Sequence, residues 1–284
     1  MAQSKESFQL AIQQTAQRTG FIPDLIEKDY YCSLILKAIF SNSSHTLVFK
    51  GGTLLNKVHV GFYRLSEDLD FSVSITEDIG RNTKSTLMKP IKKILDDLIN
   101  QIDGLSFRDP FKGHNSSSQY NACFEYESVF SGNKDTILLD IGLREEILIS
   151  PATLNAQTLV TDPITGNLLI EPYSVQCLTK TEAYAEKLRA ALTRTKPAIR
   201  DIFDLDYALR NQIINFEDKQ LQELARIKLT KPEPLEINLS ETKKQILQSQ
   251  LEAQLRPVLR EGDYKQFDFE KAWNDLERIG EKFS

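Results

Sequence analysis

Two aspartates separated by a single residue, Asp68 and Asp70, are the clearest candidates for chemistry in this sequence. They open the segment Asp68–Ile75, in which apolar and polar residues alternate as in a β-strand. Residues i and i+2 of a strand point to the same face, so the two carboxylates would lie side by side. Like charges at that distance repel unless a cation lies between them, and Mg²⁺ held by two carboxylates, waters and phosphate oxygens would resolve the conflict. The alternative is a solvent-facing strand that carries two exposed aspartates.

A glycine pair precedes this segment. Gly51-Gly52-Thr53 lies between an apolar run at residues 46–50 and a short predicted helix, Thr53–His59. A glycine-rich turn that opens a helix lets backbone N–H groups approach a phosphate. The spacing is neither that of a P-loop nor that of a dinucleotide-binding fingerprint. The alternative is an ordinary turn between a strand and a helix.

A third candidate is a row of basic residues on the predicted helix Leu178–Arg194. Lys180, Lys187 and Arg194 are spaced seven residues apart and therefore share one helix face. The row is basic although the whole chain is acidic. Such a row can bind phosphate groups, including those of a nucleic-acid backbone. The alternative is a solvated helix face.

The elements that would position these residues fall into two parts. The first forty residues have apolar residues at helical spacing, and the strand-like runs lie between residues 46 and 172. The chain that follows has almost only helical patterns. We predict an α+β fold, with a mixed-sheet lobe that includes the N-terminal helices over residues 1–172 and a helical lobe over residues 173–284.

Composition limits the class of protein. The 284 residues are 40% hydrophobic and 26% charged, which is enough apolar material for a core. With 35 basic and 40 acidic residues the formal net charge is −5, which excludes a uniformly basic nucleic-acid binder but allows a local basic groove. Three cysteines without a C-x-x-C pair argue against a disulfide framework or a zinc site. The apolar runs are too short to span a bilayer and no signal peptide is visible, so we predict a cytoplasmic protein with no membrane partner.

This order of features resembles the nucleotidyltransferase superfamily, which has the DNA polymerase β-like fold. The features are a strand, the G-G-T turn, a short helix and the D-x-D pair on the next strand. A closer resemblance is to the AbiEii-type toxin family of type IV toxin–antitoxin and abortive-infection systems. Its F-K-G-G-T-x-L-x-K element matches Phe49–Lys57, and its R-x-S-x-D-L-D-F element matches Arg64–Phe71. A later family element, a Lys/Arg helix before an Asp-Ile-Phe-Asp-Leu turn, matches Glu186–Arg189 and Arg200–Leu205. The resemblance covers roughly residues 20–210.

The resemblance implies that the glycine turn holds a triphosphate and that the D-x-D pair holds magnesium, with a third carboxylate on a neighbouring strand. Asp140, an acid inside the apolar run Ile137–Leu143, is the best candidate, because a buried unpaired acid is costly unless it lies beside a metal. Its role would be to accept the proton of the attacking hydroxyl. Asp135 and Glu125 are weaker alternatives, and Asp140 could instead face outward from an edge strand.

The resemblance also implies a catalytic role for Lys187, oriented by Asp201 or Asp204; for these two acids, capping of the following helix is the alternative. A family serine beside the metal site corresponds to Ser66, and in some members a partner antitoxin inhibits the toxin by phosphorylating it. The predicted metal ligands are Asp68, Asp70 and Asp140. The predicted nucleotide-binding residues are Gly51, Gly52, Thr53, Lys57, Arg64, Ser66, Lys187 and Arg194.

The implied activity is Mg²⁺-dependent transfer of a nucleoside monophosphate from an NTP to an RNA acceptor. The candidate acceptor is the 3′ end of tRNA, and the implied partner is a cognate antitoxin. Two other activities stay open: transfer to a protein or a small molecule, and NTP binding without catalysis by a module that acts through a partner. The basic helix favours RNA over both.

Overall fold

The predicted α+β class is confirmed. The computed structural model describes residues 5–41, 46–73, 80–143, 145–231 and 234–283. The chain divides into two compact units, Met1–Leu178 and Thr179–Ser284. Within the described ranges the first unit combines a sheet with helices, and the second unit is helical. None of the helices in these ranges is both long and apolar enough to cross a membrane.

One mixed sheet forms the centre of the first unit. Its strands in the described ranges are β1 (Leu47–Lys50), β2 (Leu69–Val73), β3 (Leu105–His114), β4 (Gln119–Glu127), β5 (Lys134–Gly142), β6 (Ala152–Ala156) and β7 (Tyr173–Cys177). Their order across the sheet is β3-β4-β5-β2-β1-β7-β6. The pairs β2–β5 and β1–β7 are parallel, and the other neighbours are antiparallel.

Alternation of apolar and polar residues gives the central strands two different faces. In β2, Leu69 and Phe71 are buried, whereas Asp70 between them is half-buried on the opposite face. In β5, Asp140 likewise lies between two buried apolar residues. Both aspartates therefore lie on the face opposite the apolar side chains. Residues 74 and 75 of the predicted strand lie outside the described residues.

The described ranges of the first unit also contain helices. They are α1 (Lys5–Thr19), α2 (Pro23–Phe40), α3 (Gly51–Leu54), α4 (Arg81–Leu87) and α5 (Lys89–Leu98). Helix α2 begins at Pro23, as is common because proline suits the first helical position. It packs against β5, β7 and α5. The single helix predicted from about Thr83 to Ile102 is two helices, because Pro90 lies in the first turn of a new one, α5.

The second unit is a set of packed helices with polar caps. They are α6 (Lys180–Thr193), α7 (Ile199–Arg210), α8 (Lys219–Thr230), α9 (Glu241–Ser249), α10 (Glu261–Gln266) and α11 (Phe269–Gly280). The Thr179 side chain caps α6 by accepting a hydrogen bond from the N–H of Glu182. Helix α6 packs against α7 and α8, and α11 packs against α7. Their buried residues include Leu188, Phe203 and Trp273.

The division between the units falls after Leu178, later than the boundary predicted after residue 172. The reason is that β7 pairs with β1 through Cys177 and Phe49 and so belongs to the sheet. The N–H of Leu178 also donates a hydrogen bond to the carbonyl of Phe49 (3.0 Å). The chain therefore leaves the sheet only at Thr179.

Candidate active site

The glycine pair forms the junction between β1 and α3. Gly51 has a φ of +78°, a left-handed conformation that favours glycine. A Cβ atom at Gly51 would lie 2.1 Å from Oδ2 of Asp70, and one at Gly52 would lie 2.5 Å from Nη2 of Arg64. The turn therefore lies directly against the D-x-D strand and an arginine. This is the close backbone approach that a phosphate-binding turn needs.

Replacing Gly51 by alanine is expected to weaken NTP binding at least about tenfold, because the new methyl group would displace the Asp70 carboxylate. Gly132→Ala is a matched control: Gly132 has a φ of +67°, and a Cβ there would meet no atom within 4 Å. Both variants should lose about 1–2 kcal/mol of stability through left-handed strain. NTP titration of the two folded variants measures the difference, and equal affinities would contradict a binding role for the turn.

The register of the sheet brings Asp70 and Asp140 together. Asp70 on β2 pairs with Asp140 on β5 and with Lys50 on β1, so the three residues form an acidic row with a lysine at its end. Asp68 lies just before β2, and its carbonyl accepts a hydrogen bond from Oγ1 of Thr53 (2.5 Å). The Thr53 hydroxyl thus ties the glycine turn to the acidic strand.

The acids of this row have the donor chemistry that Mg²⁺ prefers, namely carboxylate oxygens. In the part of the chain that the structure describes, no group of three or more His, Cys, Asp or Glu side chains is arranged to hold a metal ion. Asp140 is engaged differently, because its Oδ2 accepts hydrogen bonds from Nε2 of Gln119 (2.7 Å) and Nδ2 of Asn121 (2.5 Å). The residues fit Mg²⁺ bound by Asp68 and Asp70 and completed by waters and phosphate oxygens. Asp140 as a third ligand stays a prediction.

The two weaker alternatives for the third carboxylate have other partners. Asp135 forms an ion pair with Lys28 (3.0 Å) and accepts a hydrogen bond from the Tyr126 hydroxyl (3.1 Å). Glu125 pairs with Lys134, whose hydrogen bond lowers the pKa of the Glu125 carboxyl. Neither carboxylate needs a metal to balance its charge, and neither is a register partner of β2.

Arg64 and Ser66 both lie beside Gly52. Arg64 is 2% exposed, and its Nη1 donates a hydrogen bond to the carbonyl of Leu65 (2.9 Å). Ser66 is also buried, with its Oγ 3.1 Å from the position that a Cβ of Gly52 would occupy. The structure therefore brings these two predicted nucleotide-binding residues to the glycine turn, with the arginine held in one orientation.

Lys57 is fully buried and has its partners in the core. It belongs to the π-helical turn Leu55–Val60 that continues α3, and its buried ammonium forms an ion pair with Asp29 of α2 (2.7 Å). It also donates a hydrogen bond to Oγ of Ser33 (2.8 Å). Burial raises the pKa of Asp29, and the charge of Lys57 opposes that shift. The structure thus gives Lys57 a partner in the core instead of an exposed position beside a nucleotide.

A Lys57→Met chain is expected to lose about 3 kcal/mol of unfolding free energy, because Asp29 would stay buried without a counter-charge. Lys5→Met is the matched control. Lys5 pairs with Glu127 at the surface, with both side chains more than half exposed, so its loss should cost at most about 1 kcal/mol. Urea unfolding of both variants measures the difference, and equal midpoints would show that the buried pair contributes nothing.

In the second unit, Lys187 and Arg194 converge on the acids that follow them. Nζ of Lys187 lies 2.8 Å from Oδ1 of Asp201 and 2.9 Å from Oδ2 of Asp204, so both acids contact this lysine. Nη1 of Arg194 lies 3.2 Å from Oδ2 of Asp201. Asp206 pairs elsewhere, within its own helix. Lys187 is therefore held between two acids and does not lie on an open basic face.

Sequence reasoning missed Gln119, Asn121 and Asp29. The two amides reach Asp140 only because β4 pairs with β5 in a register that no local pattern specifies. The sequence contains one signal for Asp29, because this charged residue lies among apolar residues that form the buried face of α2. That signal predicts a buried partner of opposite charge but does not identify Lys57.

Comparison with known proteins gives one family and several similar folds. Residues 34–276 match the family described as "Nucleotidyl transferase AbiEii toxin, Type IV TA system". The nucleotidyltransferase toxin MenT4 of Mycobacterium tuberculosis is similar in structure, with a TM-score of 0.54, 16% identity and 99% of each chain covered. JHP933 of Helicobacter pylori has a TM-score of 0.52 and 17% identity, over 93% of this chain and 94% of its own. No curated protein matches the sequence. At these identities the structural matches support the fold alone.

Proposed function

The chain belongs to the AbiEii nucleotidyltransferase toxin family of type IV toxin–antitoxin systems, and we propose that it transfers a nucleoside monophosphate from an NTP to an RNA acceptor, in particular the 3′ end of tRNA. Family membership implies a cognate antitoxin and the use of an NTP. The observation that carries the proposal is the glycine turn, which has no room for side chains beside the Asp70 carboxylate and the Arg64 guanidinium. We infer that the protein acts in the cytoplasm, where NTPs and tRNA are found.

The residues of the first unit supply binding and charge for this reaction. The backbone N–H groups of Gly51 and Gly52 would bind phosphate oxygens, with the positive charge of Arg64 beside them. Asp68 and Asp70 would hold Mg²⁺. When bound there, Mg²⁺ neutralises charge on the triphosphate and on the leaving pyrophosphate.

The covalent step exchanges one phosphorus–oxygen bond for another. The oxygen of the acceptor hydroxyl forms a bond to the α-phosphorus. The bond from the α-phosphorus to the oxygen that bridges to the β-phosphate breaks, and pyrophosphate leaves. Asp140 would accept the proton of the hydroxyl. Positioning and charge neutralisation supply most of the catalysis in such reactions, which suits a site made of backbone amides and acids.

The preference for RNA rests on the charge of the second unit. Lys180, Arg194 and Lys196 are exposed on α6 or directly after it, in a chain whose formal net charge is −5. Basic side chains of this kind bind backbone phosphates with an affinity that falls as salt rises. Lys187 is the proposed phosphate-binding lysine of this unit.

Incubation of the protein with Mg²⁺, α-labelled NTPs and total RNA tests the proposal. The expected result is label in the tRNA fraction, with release of pyrophosphate, and loss of both in Asp68→Ala. Label on a protein or a small molecule would instead support the other acceptor classes. NTP binding without pyrophosphate release would support a non-catalytic module. An unchanged rate in Asp68→Ala would overturn the proposed site.

A further inference from the structure

The acidic row of the candidate site continues across the sheet to a lysine on its outer edge. Asp70 on β2 pairs with Asp140 on β5, which pairs in turn with Asn121 on β4. Asn121 then pairs with Lys112 on the edge strand β3. Register partners on neighbouring strands share one face of a sheet, so the exposed Lys112 lies on the face that carries the two acids. At about 4.8 Å between neighbouring strands, Lys112 is roughly 10 Å from Asp140.

The neighbouring aromatic residues occupy the other face of the edge strand. Phe111, which precedes Lys112, is buried and stacks on the buried ring of Tyr120, with 5.3 Å between the ring centroids. Because successive side chains of a strand point to opposite faces, this stacked pair leaves Lys112 on the face of the acids. Gly113 is the register partner of Tyr120 and leaves room for its ring, since a Cβ at Gly113 would lie 2.8 Å from Cε1 of Tyr120.

Helix α4 adds positive charge beside this edge of the sheet. It contacts the turn Asn115–Ser117, which joins β3 to β4. The helix has two basic residues, Arg81 and Lys84, and no acidic residue. Arg81 is exposed, as Lys112 is. The edge of the sheet therefore carries a group of cations, which we call the edge patch (Arg81, Lys84 and Lys112), in a chain whose formal net charge is −5.

The turn between β3 and β4 has a strained backbone. Asn115, Ser116 and Ser117 have φ values of 50°, 56° and 64°, in the left-handed region that costs a non-glycine residue about 1–2 kcal/mol. The carbonyl of Asn115 accepts hydrogen bonds from the Oγ (2.7 Å) and the N–H (3.2 Å) of Ser118, which hold the turn in this conformation. Strain of this kind concentrates at functional sites. Here the strained turn fixes the end of β3 beside α4.

The geometry of the proposed transfer determines the side from which an acceptor would arrive. In phosphoryl transfer the attacking and the leaving oxygen lie roughly in line on opposite sides of the phosphorus. The glycine turn, which would hold the leaving pyrophosphate, follows β1 at one end of the acidic row. The acceptor hydroxyl would therefore approach over β5, β4 and β3. A stacked nucleic-acid strand has a phosphate about every 3.4 Å, so Lys112 would meet a phosphate about three nucleotides from the reacting end.

We propose that the edge patch binds backbone phosphates of the RNA acceptor a few nucleotides before its reacting end. The direction of the acceptor strand rests on the proposed function, and charge complementarity supports RNA as the occupant. The patch belongs to the first unit and is distinct from the basic residues of α6. A lysine on an edge strand can instead serve to prevent pairing with another chain. The experiment below separates these two roles of Lys112.

Fluorescence anisotropy of labelled tRNA, titrated with the full chain in the absence of NTP, tests the edge patch without turnover. Lys112→Gln and Arg81→Gln should each weaken RNA binding about threefold to tenfold. Each should also reduce the slope of log affinity against log salt by about 0.7–0.9, because one phosphate contact is lost. In transfer assays both variants should raise KM for RNA by a similar factor. They should leave kcat and KM for NTP within about twofold, because a contact remote from the reacting atoms contributes uniform binding.

Lys134→Gln is the matched control. Lys134 is an exposed lysine at the opposite end of β5, and its substitution changes the net charge by the same amount. Its RNA affinity should stay within about twofold of the wild-type value. Thermal unfolding checks that each variant is folded, and size-exclusion chromatography measures self-association.

Equal RNA affinities in Lys112→Gln, Arg81→Gln and Lys134→Gln would overturn the edge patch. A Lys112→Gln chain that self-associates and keeps its RNA affinity would also overturn it, since the lysine would then only protect the edge strand. Absence of RNA labelling, together with weaker RNA binding in the two patch variants, would overturn the proposed transfer and leave the patch standing. RNA labelling with equal affinities in all three variants would overturn the patch and leave the transfer standing.

Discussion

An Asp70→Asn chain should lose nucleotidyl transfer by about a thousandfold while it keeps its fold. The substitution preserves the size of the side chain beside the glycine turn and removes the negative charge that would bind Mg²⁺ there. Asp70 is half-buried on the face opposite the apolar core of β2, so the exchange disturbs no core packing. Initial rates at saturating NTP and RNA measure the activity, and thermal unfolding measures the fold.

Asp109→Asn provides the comparison for this variant. Asp109 lies on the edge strand β3 of the same sheet, its side chain is 66% exposed, and its partner is Arg108 (3.0 Å). Its loss should leave the rate within about twofold, since substitutions at such surface positions have small effects. A rate for Asp70→Asn above about a tenth of the wild-type rate would contradict a metal-binding role for the D-x-D pair. If the two variants lost equal fractions of the transfer rate, the loss would come from a disturbed sheet and not from a lost metal ligand.

Short-range periodicity was enough to predict part of the site. The strand period of two correctly places Asp70 on the face opposite Leu69 and Phe71. Asp68 lies just before β2, so a face shared by the two carboxylates stays a prediction. The glycine turn follows a similarly local rule, because a φ of +78° at Gly51 favours a residue without a side chain. The family resemblance suggested the connection between these two elements, and the match over residues 34–276 confirms the family.

Pairing between distant parts of the chain could not be predicted in this way. Lys57 belongs to the same motif as the glycine turn, yet its burial depends on Asp29, which another helix supplies. Glu182 and Glu186 repel each other by their spacing on α6, but Lys228 of α8 lies 2.8 Å and 3.0 Å from their carboxylates. The amide hydrogen bonds to Asp140 are a third case, because the register between β4 and β5 brings the donors to this carboxylate.

Lys187→Met is expected to lower the free energy of unfolding by about 4 kcal/mol and to abolish transfer. The Lys187 side chain is 11% exposed, and those of its partners Asp201 and Asp204 are 5% and 0% exposed. Without the lysine, two buried carboxylates would remain near each other with less compensating charge, which is the costly way to break a buried ion pair. Urea unfolding measures the stability, and RNA labelling at a temperature where the variant is folded measures transfer.

A triple variant separates the structural role of Lys187 from a role in phosphate binding. Lys187→Met combined with Asp201→Asn and Asp204→Asn removes the uncompensated charges, so most of the lost stability should return. Arg194 loses its Asp201 partner in that chain, but its side chain is 54% exposed and the pair contributes at most about 1 kcal/mol. Transfer should stay abolished, because methionine offers no charge to a phosphate. Recovery of transfer together with stability would mean that the lysine serves only to neutralise the two acids of α7.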